Sequence, residues 1–248
     1  MKNVVKVMLL LALLWTGTSS VNAQVNVRIS ARIAPPPLEV YTQPYCPGDG
    51  HIWTPGYWAY GADGYYWIPG VWALPPSPGL LWTPGYWDFA DGLYNWYPGY
   101  WGATVGYYGG INYGFGYFGT GFSGGRWQDG HFYYNTAVSR VNSKTVHNVY
   151  KDRSVRQNYQ RANHASFNGA GGMTYKPQAN ERREESSRQI PPTSEQNTHY
   201  QTSVKDKAQF SSPQQMHPSA FSMDRIGGNR FNSGGRMMGG GGRGGGRR

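Results

Sequence analysis

The sequence predicts a mainly β protein: a small Trp/Tyr-rich antiparallel sheet of repeated hairpins, followed by a long disordered basic tail. Three observations carry this prediction. A six-residue pattern, W-x-P-G-x-W, occurs four times between Trp53 and Trp101. Two Asp-Gly steps sit between aromatic runs, at Asp63-Gly64 and Asp91-Gly92. Finally, the composition changes near residue 150, with nine tryptophans between Trp53 and Trp127 and none after them.

The chain opens with Lys2 and Lys6 and no acid, then the apolar run Val7 to Leu14, then a small and polar stretch ending Val21-Asn22-Ala23. That is the layout of a secretory signal, and its apolar run is too short to cross a hydrocarbon layer of ~30 Å. Cleavage is expected after Ala23, so residues 1–23 are read as a signal peptide and the protein as exported: periplasmic, outer-envelope or extracellular. Residues 24–50 form a proline-containing lead-in that holds the one cysteine, Cys46, which has no internal partner. A small buried thiol is the simplest account of it.

Residues 51–103 are the repeat region. The copies are Trp53 to Trp58, Trp67 to Trp72, Trp82 to Trp87 and Trp96 to Trp101, and copies one and three, like two and four, are offset by 29 residues. The unit is therefore a pair of motifs. Each pair encloses one Asp-Gly step, a strong hairpin signal. The arms are expected near Tyr57 to Tyr60 and Tyr65 to Ile68, then near Tyr86 to Phe89 and Tyr94 to Tyr97. The Pro-Gly steps (Pro55-Gly56, Pro69-Gly70, Pro84-Gly85 and Pro98-Gly99) suit either a type II turn or a bulge at which proline is tolerated. Trp53 and Trp58 are five residues apart and would face opposite ways in an unbroken strand; an irregularity at Pro-Gly returns them to one face.

Two readings of the tryptophans follow. Trp53, Trp58, Trp67, Trp72, Trp82, Trp87, Trp96 and Trp101 either form an exposed aromatic platform that contacts a glycan or a protein, or they are buried as core. Eight indoles alone bury too little surface to order the repeat region, so neighbouring segments or a partner must contribute.

Residues 104–150 hold nine glycines between Thr104 and Gly125 and the alternation Gly114-Phe115-Gly116-Tyr117, read as a strand with one nearly bare face. Phe132 to Val138 and Thr145 to Tyr150 are expected to be the last strands. Residues 151–248 are polar and basic and end in Gly/Arg repeats. The formal charge of +10 becomes +8 without Lys2 and Lys6, of which residues 24–150 contribute −1 and residues 151–248 contribute +9. With few large apolar residues, the tail is expected to stay disordered, apart from a short helix around Asn180 to Gln189 supported by Glu/Arg pairs.

The residues resemble the WXXGXW (YXWGXW) repeat family of exported bacterial proteins. The likeness includes Pro35 to Pro37, Tyr45 to Gly50 and Gly109 to Gly114 around the repeats. It extends to Ser166 to Gly169, Lys176-Pro177 and Pro191 to Thr193 in the tail. It implies export and repeat architecture, and it brings no catalytic residue to carry over.

No catalytic residue, cofactor or metal site is expected. The histidines, at 51, 131, 147, 164, 199 and 217, lack ligand spacing. Asp63 and Asp91 are better explained by turn chemistry than as paired glycosidase carboxylates. There is no nucleophile elbow, and no glycine-rich stretch ends in the Lys-Ser/Thr of a phosphate loop. The function expected is that of an exported non-catalytic protein of the cell envelope or extracellular matrix. It would bind an envelope or matrix polysaccharide or an envelope protein through its aromatic repeats, and anionic polymers through its cationic tail. Export argues against nucleic acid as the primary partner. The alternative is a structural, self-associating protein whose repeat tryptophans are core.

Overall fold

The structure is a computed structural model that describes residues 29–155, 164–185, 189–211, 221–232 and 235–238. Residues 1–23, where a signal peptide is expected, the Gly/Arg terminus beyond residue 238 and His217 lie outside the described residues. The chain is mainly β, as its sequence predicts. After a two-residue strand β1 (Ser30–Ala31), the first repeat runs β2 (Ile52–Thr54), β3 (Tyr57–Gly61), β4 (Gly64–Ile68) and β5 (Val71–Ala73). The second runs β6 (Leu81–Thr83), β7 (Tyr86–Ala90), β8 (Leu93–Tyr97) and β9 (Tyr100–Gly102).

Each repeat is one long hairpin whose ladder is interrupted once. β3 pairs with β4 from Tyr57↔Ile68 to Gly61↔Gly64, and β2 pairs with β5 from Ile52↔Ala73 to Thr54↔Val71. The second repeat reproduces this with β7 against β8 and β6 against β9. The hairpin arms thus fall where the Asp-Gly steps place them. The tips differ by one position. In the second, Asp91 (φ 53°) and Gly92 (φ 76°) are the two turn residues of a type I′ turn, whereas the first turns on Ala62 and Asp63, and Gly64 takes the positive φ of 102°.

Between the two ladders of a repeat, both strands leave the pairing at Pro-Gly, two residues on each side. Type II turns do not form here: none of Gly56, Gly70, Gly85 and Gly99 is among the positive-φ glycines. The glycines serve close approach instead. A Cβ on Gly70 would lie 2.6 Å from the Trp53 indole and 2.9 Å from the Gly56 nitrogen. On Gly99 it would lie 2.5 Å from the Trp82 indole and 2.8 Å from the Gly85 nitrogen. Gly56 sits under Trp67, and Gly85 under Trp96, in the same way. Every motif therefore gives its leading indole to cover the glycine of the motif paired with it, which is why tryptophan and glycine occur together.

The Gly/aromatic segment folds back between the repeats. β10 (Asn112–Gly114) and β11 (Tyr117–Phe118) form a hairpin, so the Gly114 to Tyr117 alternation is a reversal and not one strand. Phe115 and Gly116, the two residues between the strands, both have positive φ, which a continuous strand does not allow. β12 (Gly125–Gln128) and β13 (His131–Asn135) form the next hairpin, and β14 (Val149–Tyr150) pairs parallel to β13. The buried hydroxyl of Tyr117 donates to Trp53 O (3.2 Å) and Trp82 O (3.0 Å), the corresponding carbonyls of the two repeats.

The described parts of the tail depart from the disorder expected of its composition. β15 (Phe167–Asn168) pairs parallel to β7. A helix α1 (Ala179–Glu185) occupies the first part of the Asn180 to Gln189 span, and Ile190 bridges to Trp101 on β9. A second helix, α2 (Ser194–Val204), and the turn after it cover β4, where Tyr200, Val204 and Phe210 pack on Tyr66 and Ile68. β16 (Ser222–Met223) pairs with β5 and, on its other side, with β17 (Arg230–Phe231). These segments hold few apolar residues, but each apart from α1 sets one or two of them on an aromatic core that already exists. Those that do so need not build a core of their own, and they cover strand edges that would otherwise present unpaired backbone. α2 begins with a full capping box, in which the Thr193 hydroxyl accepts from Gln196 N and the Gln196 side chain accepts from Thr193 N. Thr193→Ala is expected to cost about 1 kcal/mol, measurable as a shift in the denaturation midpoint.

Candidate functional site

The eight repeat tryptophans meet as four cross-strand couples: Trp53 with Trp72, Trp58 with Trp67, Trp82 with Trp101 and Trp87 with Trp96. Ring centroids lie 5.2 to 5.4 Å apart with interplanar angles of 51° to 69° in all four. Three couples are edge-to-face and Trp87–Trp96 is tilted, and aromatic pairs at such centroid distances gain beyond their area. Seven of the eight are buried, Trp82 being the most exposed of them at 7%. Trp96 alone is half-buried, and the Tyr57 ring stacks on it at 5.0 Å and 14°.

The polar edges of five of the eight are engaged by the chain itself, while the buried Trp53 Nε1–H has no hydrogen-bond partner among the described residues. The Nε1–H groups of Trp58, Trp72 and Trp87 donate to the carbonyls of Pro37, Pro44 and Trp58, at 2.9, 3.0 and 2.8 Å. That of Trp101 donates to Gln196 Oε1 on α2 at 2.8 Å. Pro37 and Pro44 belong to the lead-in segment, which accordingly serves as one wall of the core. The tryptophans come together as the sequence suggests, but as an interior.

The Pro-Gly corners of both repeats converge beside Trp82 and Trp96. Pro55, Pro69, Pro84 and Pro98 border a cavity of about 260 Å³ that α2 faces with Gln196, His199 and Tyr200. Three side-chain hydrogen bonds hold the helix there: Gln196 to Trp101, His199 Nε2 to Pro69 O at 2.8 Å, and Tyr200 with Tyr66, hydroxyl to hydroxyl, at 2.6 Å. Burial pulls the His199 pKa below its ordinary value, which keeps the ring neutral, with Nε2–H donating. Sequence reasoning missed this helix, although Thr193-Ser194-Glu195-Gln196 after two prolines is a capping-box signature.

Asp63 and Asp91 are exposed at the two hairpin tips. Cys46 is buried and free, its Sγ–H donates to Gly48 O, and burial pushes the thiol pKa up to about 11, which disfavours the reactive thiolate. Asp49 and His147 form an exposed pair at 2.7 Å. Among the described residues no three His, Cys, Asp or Glu side chains are grouped to hold a metal ion. No helix among them is long and apolar enough to cross a membrane.

Each long hairpin, with its two motifs, is the natural unit of comparison. Residues 48–73 and 78–101 each match the WXXGXW repeat. The chain carries two WXXGXW repeats. No curated protein and no solved structure matches the chain. In structural terms one WXXGXW repeat is the pair of ladders from β2 to β5 or from β6 to β9, which is the two-motif unit that the 29-residue offset indicates.

Proposed function

We propose that this protein is an exported, non-catalytic structural protein of the cell envelope or extracellular matrix, in which the WXXGXW repeats are the interior of an assembly module. One observation carries the reading: seven of the eight indoles are buried against one another, and the Nε1–H groups of Trp58, Trp67, Trp72, Trp87 and Trp101 donate to the protein's own chain. A sugar or partner could not stack on seven of the eight without opening the repeat. Export rests on the N-terminal signal pattern. The excess of basic residues after position 150 favours attachment to anionic polymers of the same compartment.

Acrylamide quenching tests the reading. The full chain is expected to show repeat-tryptophan emission that is largely shielded, with an accessible fraction from the half-buried Trp96 and Trp127, and the shielded component should not change when envelope polysaccharide is added. Ready quenching of most of the emission in a folded sample would instead restore the exposed platform.

A further inference from the structure

The strongest unexplained feature lies at the edge of the first repeat's tryptophan couples, where residues 38–41 of the lead-in face the turn between β10 and β11. Three hairpins of the described chain turn on an X-Gly pair with both residues at positive φ: Asp91-Gly92, Asp129-Gly130 and Phe115-Gly116. Aspartate tolerates that region; a bulky aromatic does so only under strain. Phe115, at φ 51°, is thus held in a conformation that a smaller residue would adopt more easily. One described non-glycine residue has positive φ without a following glycine: His164 at 50°, a type that accepts the left-handed region more readily than phenylalanine does. Phe115 and His164 line the same cleft. Strain of this kind persists where the surroundings impose it, and it collects at binding sites.

The cleft is about 780 Å³ in volume, within the range of small-molecule sites. Its lining combines three kinds of group. The partly exposed Phe115 ring stands over Tyr41, with centroids 5.2 Å apart, and offers the accessible aromatic surface, while Tyr41, Tyr113 and Trp67, also in the lining, are themselves buried. Glu39 brings a half-buried carboxylate, an acceptor. Asn112 uses its Oδ1 to accept from Gly114 N at 3.0 Å, so its amide hydrogens are what it can offer a ligand. Aromatic ring, acceptor and donor side by side match a ring that is apolar on its faces and hydroxylated at its edge.

We infer that the cleft formed by Glu39, Tyr41, Asn112, Phe115 and His164 binds a neutral sugar residue, as part of a polysaccharide chain. The cleft borders the tryptophan interior at Gly56 and Trp67, but Glu39, Asn112, Phe115 and His164 lie outside the tryptophan couples, so their variants test sugar binding apart from the structural role proposed for the repeats. A small organic cation is the competing ligand, since it would use the rings and the carboxylate and leave the amide idle.

The test is calorimetric titration of the full chain with a panel of neutral oligosaccharides (gluco-, manno-, galacto- and N-acetylglucosamine tetramers) and with tetramethylammonium. Saturable binding of at least one sugar at millimolar concentration or tighter is expected. Phe115→Asn, which installs a residue suited to positive φ, should keep the cooperative melt and weaken binding tenfold or more. Glu39→Gln and Asn112→Ala should each weaken it about fivefold, and these two carry the test if Phe115→Asn fails to fold. Leu74→Ala, at an exposed position elsewhere, should leave binding unchanged. The inference is overturned by no saturable sugar binding across the panel, by sugar binding that all three cleft variants leave intact, or by binding of tetramethylammonium alone.

Discussion

Gly70→Ala is expected to destabilise the protein by about 3 kcal/mol or more, enough to unfold a domain of ordinary stability. The new methyl group would lie 2.6 Å from the Trp53 indole, 2.9 Å from the Gly56 nitrogen and 3.1 Å from the Tyr41 hydroxyl. Relief in one direction drives it into another contact. Moving the indole would break its edge-to-face contact with Trp72, and moving the Gly56 strand would disturb the hydrogen bond from Gly56 N to Tyr41 Oη at 2.9 Å. Gly92→Asn is the control. Gly92 has a positive φ in a turn that asparagine accepts, and a Cβ there would meet nothing within 4 Å, so a change of about 0.5 kcal/mol or less is expected. Denaturant titration of both variants reads the difference directly. Equal stability of Gly70→Ala and wild type would mean that close approach is not what glycine provides at the Pro-Gly corners.

Truncation after residue 185 is the second large effect. It removes Ile190 from the edge of β9, α2 and Phe210 from β4, and Met223 from β5. It also deprives the buried Trp101 Nε1–H of Gln196. Three strand edges and the apolar patch around Tyr66 and Ile68 become accessible together, the condition under which sheets pair with other sheets. A melting temperature lower by about 10 °C or more, with association that grows with concentration in sedimentation, is expected. A truncated chain that stays monomeric and melts with wild type would show that the tail segments contribute nothing to the repeat module.

What could be read from the sequence follows from how local each determinant is. Asp91-Gly92 and the alternating aromatic residues on both sides fix a hairpin within a dozen residues, and the arms lie where those signals put them. Pro84-Gly85 carries two readings in sequence because the decision is made across the hairpin, where Trp96 covers Gly85. A residue eleven positions away that becomes a lid is not a local signal. Phe115-Gly116 imitates a strand alternation, and only its positive φ pair marks the reversal. The tail is the hardest case. Phe210 and Met223 are isolated apolar residues in polar surroundings, and isolated apolar residues predict disorder unless a ready-made aromatic surface awaits them far away in the chain. The candidate cleft was equally hidden, since Glu39, Asn112 and His164 are brought together from three separate segments.

The shared hydroxyl of Tyr117 sets a limit on how this architecture can grow. One phenol proton is divided between Trp53 O and Trp82 O, and the single ring occupies the place where the two repeats face each other. A solenoid offers every added unit the same free end, so its length can drift by duplication. Here the interface is closed around one residue, and a third copy would find neither a carbonyl position beside the ring nor a proton to share. New copies of the pattern would have to arrive as a further pair with a plug of their own, so the architecture should grow by doubling the module.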